Sequence, residues 1–186
     1  PGTPGRGGGW ERMIRGDLAE PTLQAQVDAL FAIGEIYPEQ VDLSRVGIRG
    51  WSFGGYLAAL AVLRRPDVFH AGVAGAPVTD WLLYDTHYTE RYLGHPDEEP
   101  ENYERTLLTI VDDDEKRPLM LIHGLADDNV VAAHTLQLSS ALLAAGYPHE
   151  VLPLSDTTHM TPQEEVAENL LLVQLAFLRE AFGVGG

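Results

Sequence analysis

Three residues of this chain have the types and the order needed for acyl transfer: Ser52, Asp127 and His159. Ser52 lies in Gly50-Trp51-Ser52-Phe53-Gly54, a G-x-S-x-G pattern between the apolar run Val46-Gly47-Ile48 and a helix-like run from Leu57 to Leu63. Strand, tight turn and helix are the setting in which this pattern exposes a nucleophile. The serine sits in a strained turn, glycine-sized neighbours let strand and helix pass closely, and the helix N-terminus aims backbone N–H groups at a developing oxyanion. An imidazole with an ordinary pKa near ~6.5 suits the removal of the serine proton and its return to a leaving group. A carboxylate on the other ring nitrogen fixes the tautomer and stabilises the imidazolium.

The carboxylate has rivals. Asp128 adjoins Asp127 and only one of the two can point inward; position favours Asp127. Asp156 shares a loop with His159 and is the weaker candidate. His123 ends an apolar run and reads as a satisfied core histidine rather than a base. His70, His87, His95, His134 and His149 show no metal-ligand spacing and read as surface or structural residues.

The elements that must position these groups follow from periodicity. Pro1 to Gly9 reads as a Gly/Pro-rich loop. From Glu20 to Tyr37, Leu23, Val27, Leu30, Phe31 and Ile33 recur at helical spacing, with Pro21 in the first turn and Pro38 just beyond. The elbow strand follows, then its helix, then a second buried strand around Ala71-Gly72-Val73-Ala74. Trp81 to Tyr92 crowds aromatic and polar residues too irregularly for a core element. Pro118 to Gly124 is a third strand, continuously apolar as a parallel strand covered on both faces would be. Ala132 to Ala145 reads as a helix closed by Gly146 and Pro148, Glu150 to Leu154 as a fourth strand, and Pro162 to Phe182 as a long helix carrying Val166, Leu170, Val173, Leu175 and Leu178.

Strands alternating with helices imply an α/β fold: a parallel sheet with right-handed crossovers and helices on both faces. Catalytic groups then belong in loops at the carboxyl ends of strands. Ser52, Asp127 and His159 fall on three such ends, in the chain order of an α/β-hydrolase.

Composition narrows the partners. A chain of 186 residues with 45% hydrophobic content suffices for one domain with a buried core. A formal charge of -16 repels phosphate, so nucleic acid and anionic membrane surfaces are poor partners. The acidic runs Asp97-Glu98-Glu99 and Asp112-Asp113-Asp114-Glu115 lack the alternating ligands and glycine of a calcium loop and read as solvated surface loops. Without cysteine there is no disulfide framework, thiol nucleophile or cysteine-ligated metal. No apolar run approaches the ~18 residues of a membrane span, and nothing resembles a signal peptide. The first residue is proline rather than methionine, so the expectation is a cut or processed chain, with compartment and targeting left open.

Beyond the elbow, Ala76-Pro77-Val78-Thr79-Asp80-Trp81, Tyr88-Thr89-Glu90-Arg91-Tyr92 and His123-Gly124-Leu125-Ala126-Asp127-Asp128-Asn129-Val130 complete a pattern. It resembles the dipeptidyl peptidase IV branch of the prolyl oligopeptidase family, over about Arg6 to Phe182. The resemblance implies a serine peptidase that releases N-terminal dipeptides with proline or alanine at the penultimate position. It implies a triad of Ser52, Asp127 and His159, with the Phe53 backbone N–H as one oxyanion donor. A proline-sized S1 pocket would be lined by Phe53, Val78, Trp81, Tyr84, Tyr88 and Val130, with Asn129 holding the carbonyl before the scissile residue. A flat apolar slot of aromatic faces accepts a pyrrolidine ring and leaves a charged side chain unpaired. Phe53 departs from the tyrosine usual in the branch; on the residues alone, Trp81, Tyr84 and Tyr88 would read as core packing.

The resemblance also implies what this chain lacks. The family's sheet has eight strands, a second oxyanion donor comes from an upstream tyrosine, and a β-propeller carries the acidic anchor for the substrate's amino terminus. About four strands are countable here, and Tyr37 lies in the wrong place to replace that tyrosine. The expectation is therefore the C-terminal part of a peptidase catalytic domain spanning 1–186, without upstream strands or propeller and with a bare edge on the elbow strand. Its partners would be a peptide substrate and the upstream part of the same protein, with dimerisation through the C-terminal helix region as a family expectation; no cofactor is implied. A small esterase or an inactive fragment are the alternatives.

Overall fold

The computed structural model describes residues 1–109, 115–161 and 163–184. Its elements in chain order are α1 (Gly8–Glu11), α2 (Glu20–Ile36), β1 (Gly47–Trp51), α3 (Phe53–Arg64), β2 (Ala71–Gly75), α4 (Thr86–Leu93), α5 (Pro100–Thr106), β3 (Leu119–Gly124), α6 (Ala133–Ala144), β4 (Glu150–Leu154) and α7 (Glu164–Ala181). They form two compact units, one of Pro1–Leu43 with Asp80–Leu107 and one of Ser44–Thr79 with Leu108–Gly186.

The second unit holds a four-stranded parallel sheet in the order β1-β2-β3-β4, an incomplete α/β-hydrolase sheet. β2 and β3 are buried at every position, as their apolar runs require, whereas β1 and β4 have only exposed and half-buried positions. Register assigns the faces. Arg49 pairs with Val73 and Val73 with Met120, while Gly75 pairs with Ile122 and Ile122 with Leu152. Val73, Met120 and Ile122 pack with Leu170 and Phe177 of α7, flanked by Trp51, Leu152 and Leu154.

The opposite face carries α3 and α6. A Cβ on Gly72 would press on Val62 of α3, and His123 of β3 reaches Thr135 of α6. Helices therefore cover both faces, as the alternation of elements predicts. Among the described residues β1 pairs with β2 alone, which leaves its other edge open.

Only part of the apolar set of α7 is buried. Leu170, Gln174 and Phe177 are buried, whereas Val166, Val173 and Leu175 are exposed. The helix is apolar on more than one side, so periodicity alone does not choose the face. Gln174 is accommodated because its amide donates to the Leu170 carbonyl and accepts from Arg49 Nε. Pro162, expected to open this helix, lies outside the described residues, as do Asp112, Asp113 and Asp114 of the second acidic run.

In the first unit α2 begins where the Asp17 carboxylate accepts the Ala19 and Glu20 N–H groups, and it buries Leu23 and Val27. Phe31 and Ile33, expected on the same stripe, are exposed. The stretch from Trp81 to Tyr92, read as irregular, contains a 3₁₀ turn at Trp81–Leu83 and then α4. Two aspartates start these pieces: Asp80 accepts the Leu82 N–H and Asp85 the Tyr88 N–H. α5 was not evident in the sequence, although Pro100 in its first turn is a standard opening. The chain leaves the sheet unit after Thr79 and re-enters at Leu108, where the Leu108 N–H donates to the Thr79 carbonyl at 3.0 Å.

Burial ranks the cost of truncation. Ile122→Ala, at a fully buried position of β3, is expected to lower unfolding free energy by about 2–5 kcal/mol. Leu125→Ala, three residues on and 55% exposed, is expected to stay within about 0.5 kcal/mol. Urea midpoints at constant m-value check both.

Candidate active site

Ser52 is the N-cap residue of α3, with φ 59° and ψ -120°. A β-carbon-bearing residue held at positive φ is strained, and two glycines show what holds it. A Cβ on Gly50 would overlap the Gly54 carbonyl, and one on Gly55 would overlap the Gly75 carbonyl. Gly54 itself has open space, so Gly55, outside the five-residue pattern, is the second glycine that close packing demands. The Ser52 N–H donates to the Gly75 carbonyl at 2.8 Å, which ties the turn to β2. Phe53 opens α3, so its N–H belongs to the turn whose donors point out of the helix N-terminus.

Asp127 follows β3, and its side chain is fully buried. Its Oδ1 accepts the N–H groups of Asn129 and Val130 at 3.0 and 2.9 Å, and its Oδ2 lies 2.8 Å from His159 Nδ1. The rivals separate on this evidence. Asp128 is exposed, and Asp156 is exposed at φ 55° in the turn before His159.

His159 is half-buried beyond β4. Its loop is clamped at several points. Leu125 N–H donates to the Leu154 carbonyl, Ala126 N–H donates to the Thr157 carbonyl at 3.0 Å, and a Cβ on Gly124 would overlap that same carbonyl. Trp51 adds a clamp that the sequence reading missed: its indole N–H donates to the His159 carbonyl at 2.7 Å. Strand alternation carries the only signal for it, placing Trp51 on the face of Gly47 and Arg49 that α7 covers. The structure thus joins Asp127 to His159 directly and sets Ser52 beside Trp51, which holds the His159 loop. Among the described residues no hydrogen bond joins Ser52 to His159; in proteins without substrate such bonds are often long and tighten on binding.

His123 is buried with both ring nitrogens engaged, by Thr135 Oγ1 at 2.6 Å and the Val130 carbonyl at 2.7 Å. Burial pushes its pKa down and favours the neutral ring, against the Val130 carbonyl and Asp127, which favour the charged one. His134 accepts the Thr79 N–H through Nδ1, and its carbonyl accepts the Thr79 hydroxyl, which fixes the backbone beside Val78.

The residues of the expected pocket fall in both units. In the sheet unit, Val78 and Val130 are buried, Phe53 is half-buried and Asn129 is exposed. In the other unit, Trp81 is buried and stacks on Tyr88 with ring centroids 5.9 Å apart, and Tyr84 meets both edge-on. Tyr92 extends the cluster, 5.0 Å from Tyr88. Burial, reinforced by Tyr92, Tyr84 and Asp85, pushes the Tyr88 phenol up to about 12.

Because folding raises this pKa, the stability it contributes is whole below the ordinary phenol value of 10.0 and is lost as pH rises through about 12. In a spectrophotometric phenolate titration, Tyr88→Phe is expected to remove a step near 12; an unchanged alkaline limb would refute the burial.

Comparison with known proteins gives the family. The model of the prolyl oligopeptidase family matches residues 1–185. Dipeptidyl peptidase 8 of Mus musculus is 39% identical over 183 residues, 96% of this chain and 20% of that protein. Dipeptidyl peptidase 4 of Sus scrofa is 35% identical over 147 residues, 77% of this chain and 19% of that protein. The crystal structure of Porphyromonas gingivalis dipeptidyl peptidase 4 superposes with a TM-score of 0.88 at 33% identity, over 96% of this chain and 25% of that one. The chain thus spans about a fifth of the length of the curated relatives it matches. On the extent of these matches and on the sheet that carries Ser52, Asp127 and His159, the chain belongs to the prolyl oligopeptidase family, in its dipeptidyl peptidase IV branch.

Proposed function

We propose that this chain carries the triad of a serine peptidase that releases N-terminal dipeptides with proline or alanine at the penultimate position. The observation that carries the reading is the 2.8 Å contact between the buried Asp127 carboxylate and His159 Nδ1; the positive φ of Ser52 supports it. In this reading Asp127 holds His159 in the tautomer whose Nε2 faces Ser52. His159 takes the Ser52 proton as Oγ attacks the scissile carbonyl, and the Phe53 N–H meets the oxyanion that forms. His159 returns the proton to the leaving amine, and water then repeats the sequence on the acyl-enzyme.

In this proposal Trp81, Tyr84 and Tyr88 offer flat faces to the penultimate ring, and Val78 and Val130 offer it apolar side chains. The stack of Trp81 on Tyr88 supports it, since the slot needs flat apolar faces. Asn129 holds the preceding carbonyl.

The chain works, in this proposal, within a longer protein whose upstream strands pair with the open edge of β1 and whose propeller anchors the substrate amine. The open edge and the one-fifth share of the relatives support it. A second oxyanion donor from the upstream part matters energetically: removing one such donor costs on the order of 10²–10³ in turnover.

The test is hydrolysis of a Gly-Pro-chromophore amide by this chain and by the longer protein, each beside its Ser52→Ala variant. Turnover by the longer protein that Ser52→Ala abolishes is the expected result, with the isolated chain far slower. Ester cleavage without amide cleavage by the longer protein would replace the peptidase reading with an esterase. Ser52-dependent amide turnover by the isolated chain near the parent's efficiency would show the upstream parts to be dispensable.

A further inference from the structure

The acyl-transfer scheme uses one imidazole, yet a second stands behind the same carboxylate. His123, on β3, is 2% exposed and makes two polar bonds in that dry setting. Its tautomer follows from its partners. The Val130 carbonyl can only accept, so Nε2 bears the hydrogen; Nδ1 then offers a lone pair, and the Thr135 hydroxyl donates to it. His123 Nε2 also lies 3.6 Å from Asp127 Oδ2, beyond hydrogen-bond reach.

The bonds form a line: Thr135 of α6 to His123, His123 to the Val130 carbonyl, Val130 N–H to Asp127 Oδ1, and Asp127 Oδ2 to His159. Within the turn 127–130, the Asp127 carboxylate accepts the Asn129 and Val130 N–H groups, which closes the turn on itself. That closure does not orient the turn on the sheet. The Asp127 N–H ties the start of the turn to the Gly124 carbonyl at 3.2 Å, and the Val130 carbonyl ties its far end to β3 through the His123 side chain.

We propose that His123 is a positioning residue: by donating Nε2–H to the Val130 carbonyl it holds the turn 127–130, and so sets both the Asp127 carboxylate and the Asn129–Val130 segment. The inference rests on the peptidase reading above for the roles of those residues. Its physical content, the immobilised turn, stands apart from it. Small displacements of catalytic groups are costly, with an error of about 1 Å costing on the order of 10²-fold in rate.

Two substitutions separate positioning from mere core filling. In His123→Gln the amide nitrogen reaches the place of Nε2 and keeps the donor to Val130. In His123→Asn the amide reaches only the place of Nδ1, so the Thr135 bond survives and the Val130 tether is lost. In the longer protein, compared at a temperature where thermal unfolding shows each variant folded, His123→Asn is expected to lose roughly ten- to hundredfold in kcat/KM, with kcat reduced and KM raised. His123→Gln is expected to restore most of the loss.

Hydrogen exchange of the peptide covering residues 125–131 is read in the same samples. His123→Asn should expose the Asn129 and Val130 amides, and His123→Gln should protect them. Equal kinetics in the two folded variants would overturn the proposal, as would equal amide protection. Should the wild-type protein show no Ser52-dependent amide cleavage, the peptidase reading fails and the exchange comparison alone decides the role of His123.

Discussion

A buried carboxylate is the constraint on which the site depends. Asp127 has no water to solvate its charge, and a charge in that state must be met by donors. Two backbone N–H groups of its own turn and the ring of His159 meet it. The first pair forces the chain after β3 to fold back tightly, and the third bond fixes where the loop after β4 must come down. That the strands carrying them are parallel neighbours is what makes this possible: Gly124 pairs with Leu154, so both loops start at the same end of the sheet and one strand spacing apart.

A steric requirement does comparable work at Ser52. Strand β1 and helix α3 cross with backbone against backbone at Gly50, and α3 lies on the end of β2 at Gly55. Neither contact tolerates a β-carbon. The positive φ of Ser52 follows from the tightness of that turn, and Trp51, on the opposite side of the strand from Gly50, is free to reach the His159 loop. Adjacent residues thus split two tasks through the two-residue alternation of a strand.

Much of this was legible in the sequence. The four strands fall where apolar runs and turn residues put them, and Ser52, Asp127 and His159 follow strands in the expected order. Local chemistry sufficed there, because a β-strand buried on both faces and a G-x-S-x-G turn leave few alternatives. The misses involve contacts distant in the chain. The bond from Trp51 to His159 spans 108 positions and that from Arg49 to Gln174 spans 125; periodicity carries no trace of either. The buried side of α7 is not legible in the sequence, because leucine and valine occur around its circumference and the choice of face belongs to the sheet it meets rather than to the helix. α4 was misread because its start signal, Asp85, is a capping residue rather than an apolar one.

The bond between the Leu108 N–H and the Thr79 carbonyl closes a loop of chain whose two ends meet at neighbouring positions. Everything from Asp80 to Leu107, the aromatic cluster included, is therefore an excursion that starts and finishes at one point of the sheet unit. The entropy of closing such an excursion grows only with the logarithm of its length. A change in the length of a segment tethered in this way therefore adds little to the cost of closing it and leaves the pairing of β2 with β3 in place. The fold thus separates the sheet, with Ser52, Asp127 and His159 at its strand ends, from a segment that carries the aromatic cluster and is inserted at a single point.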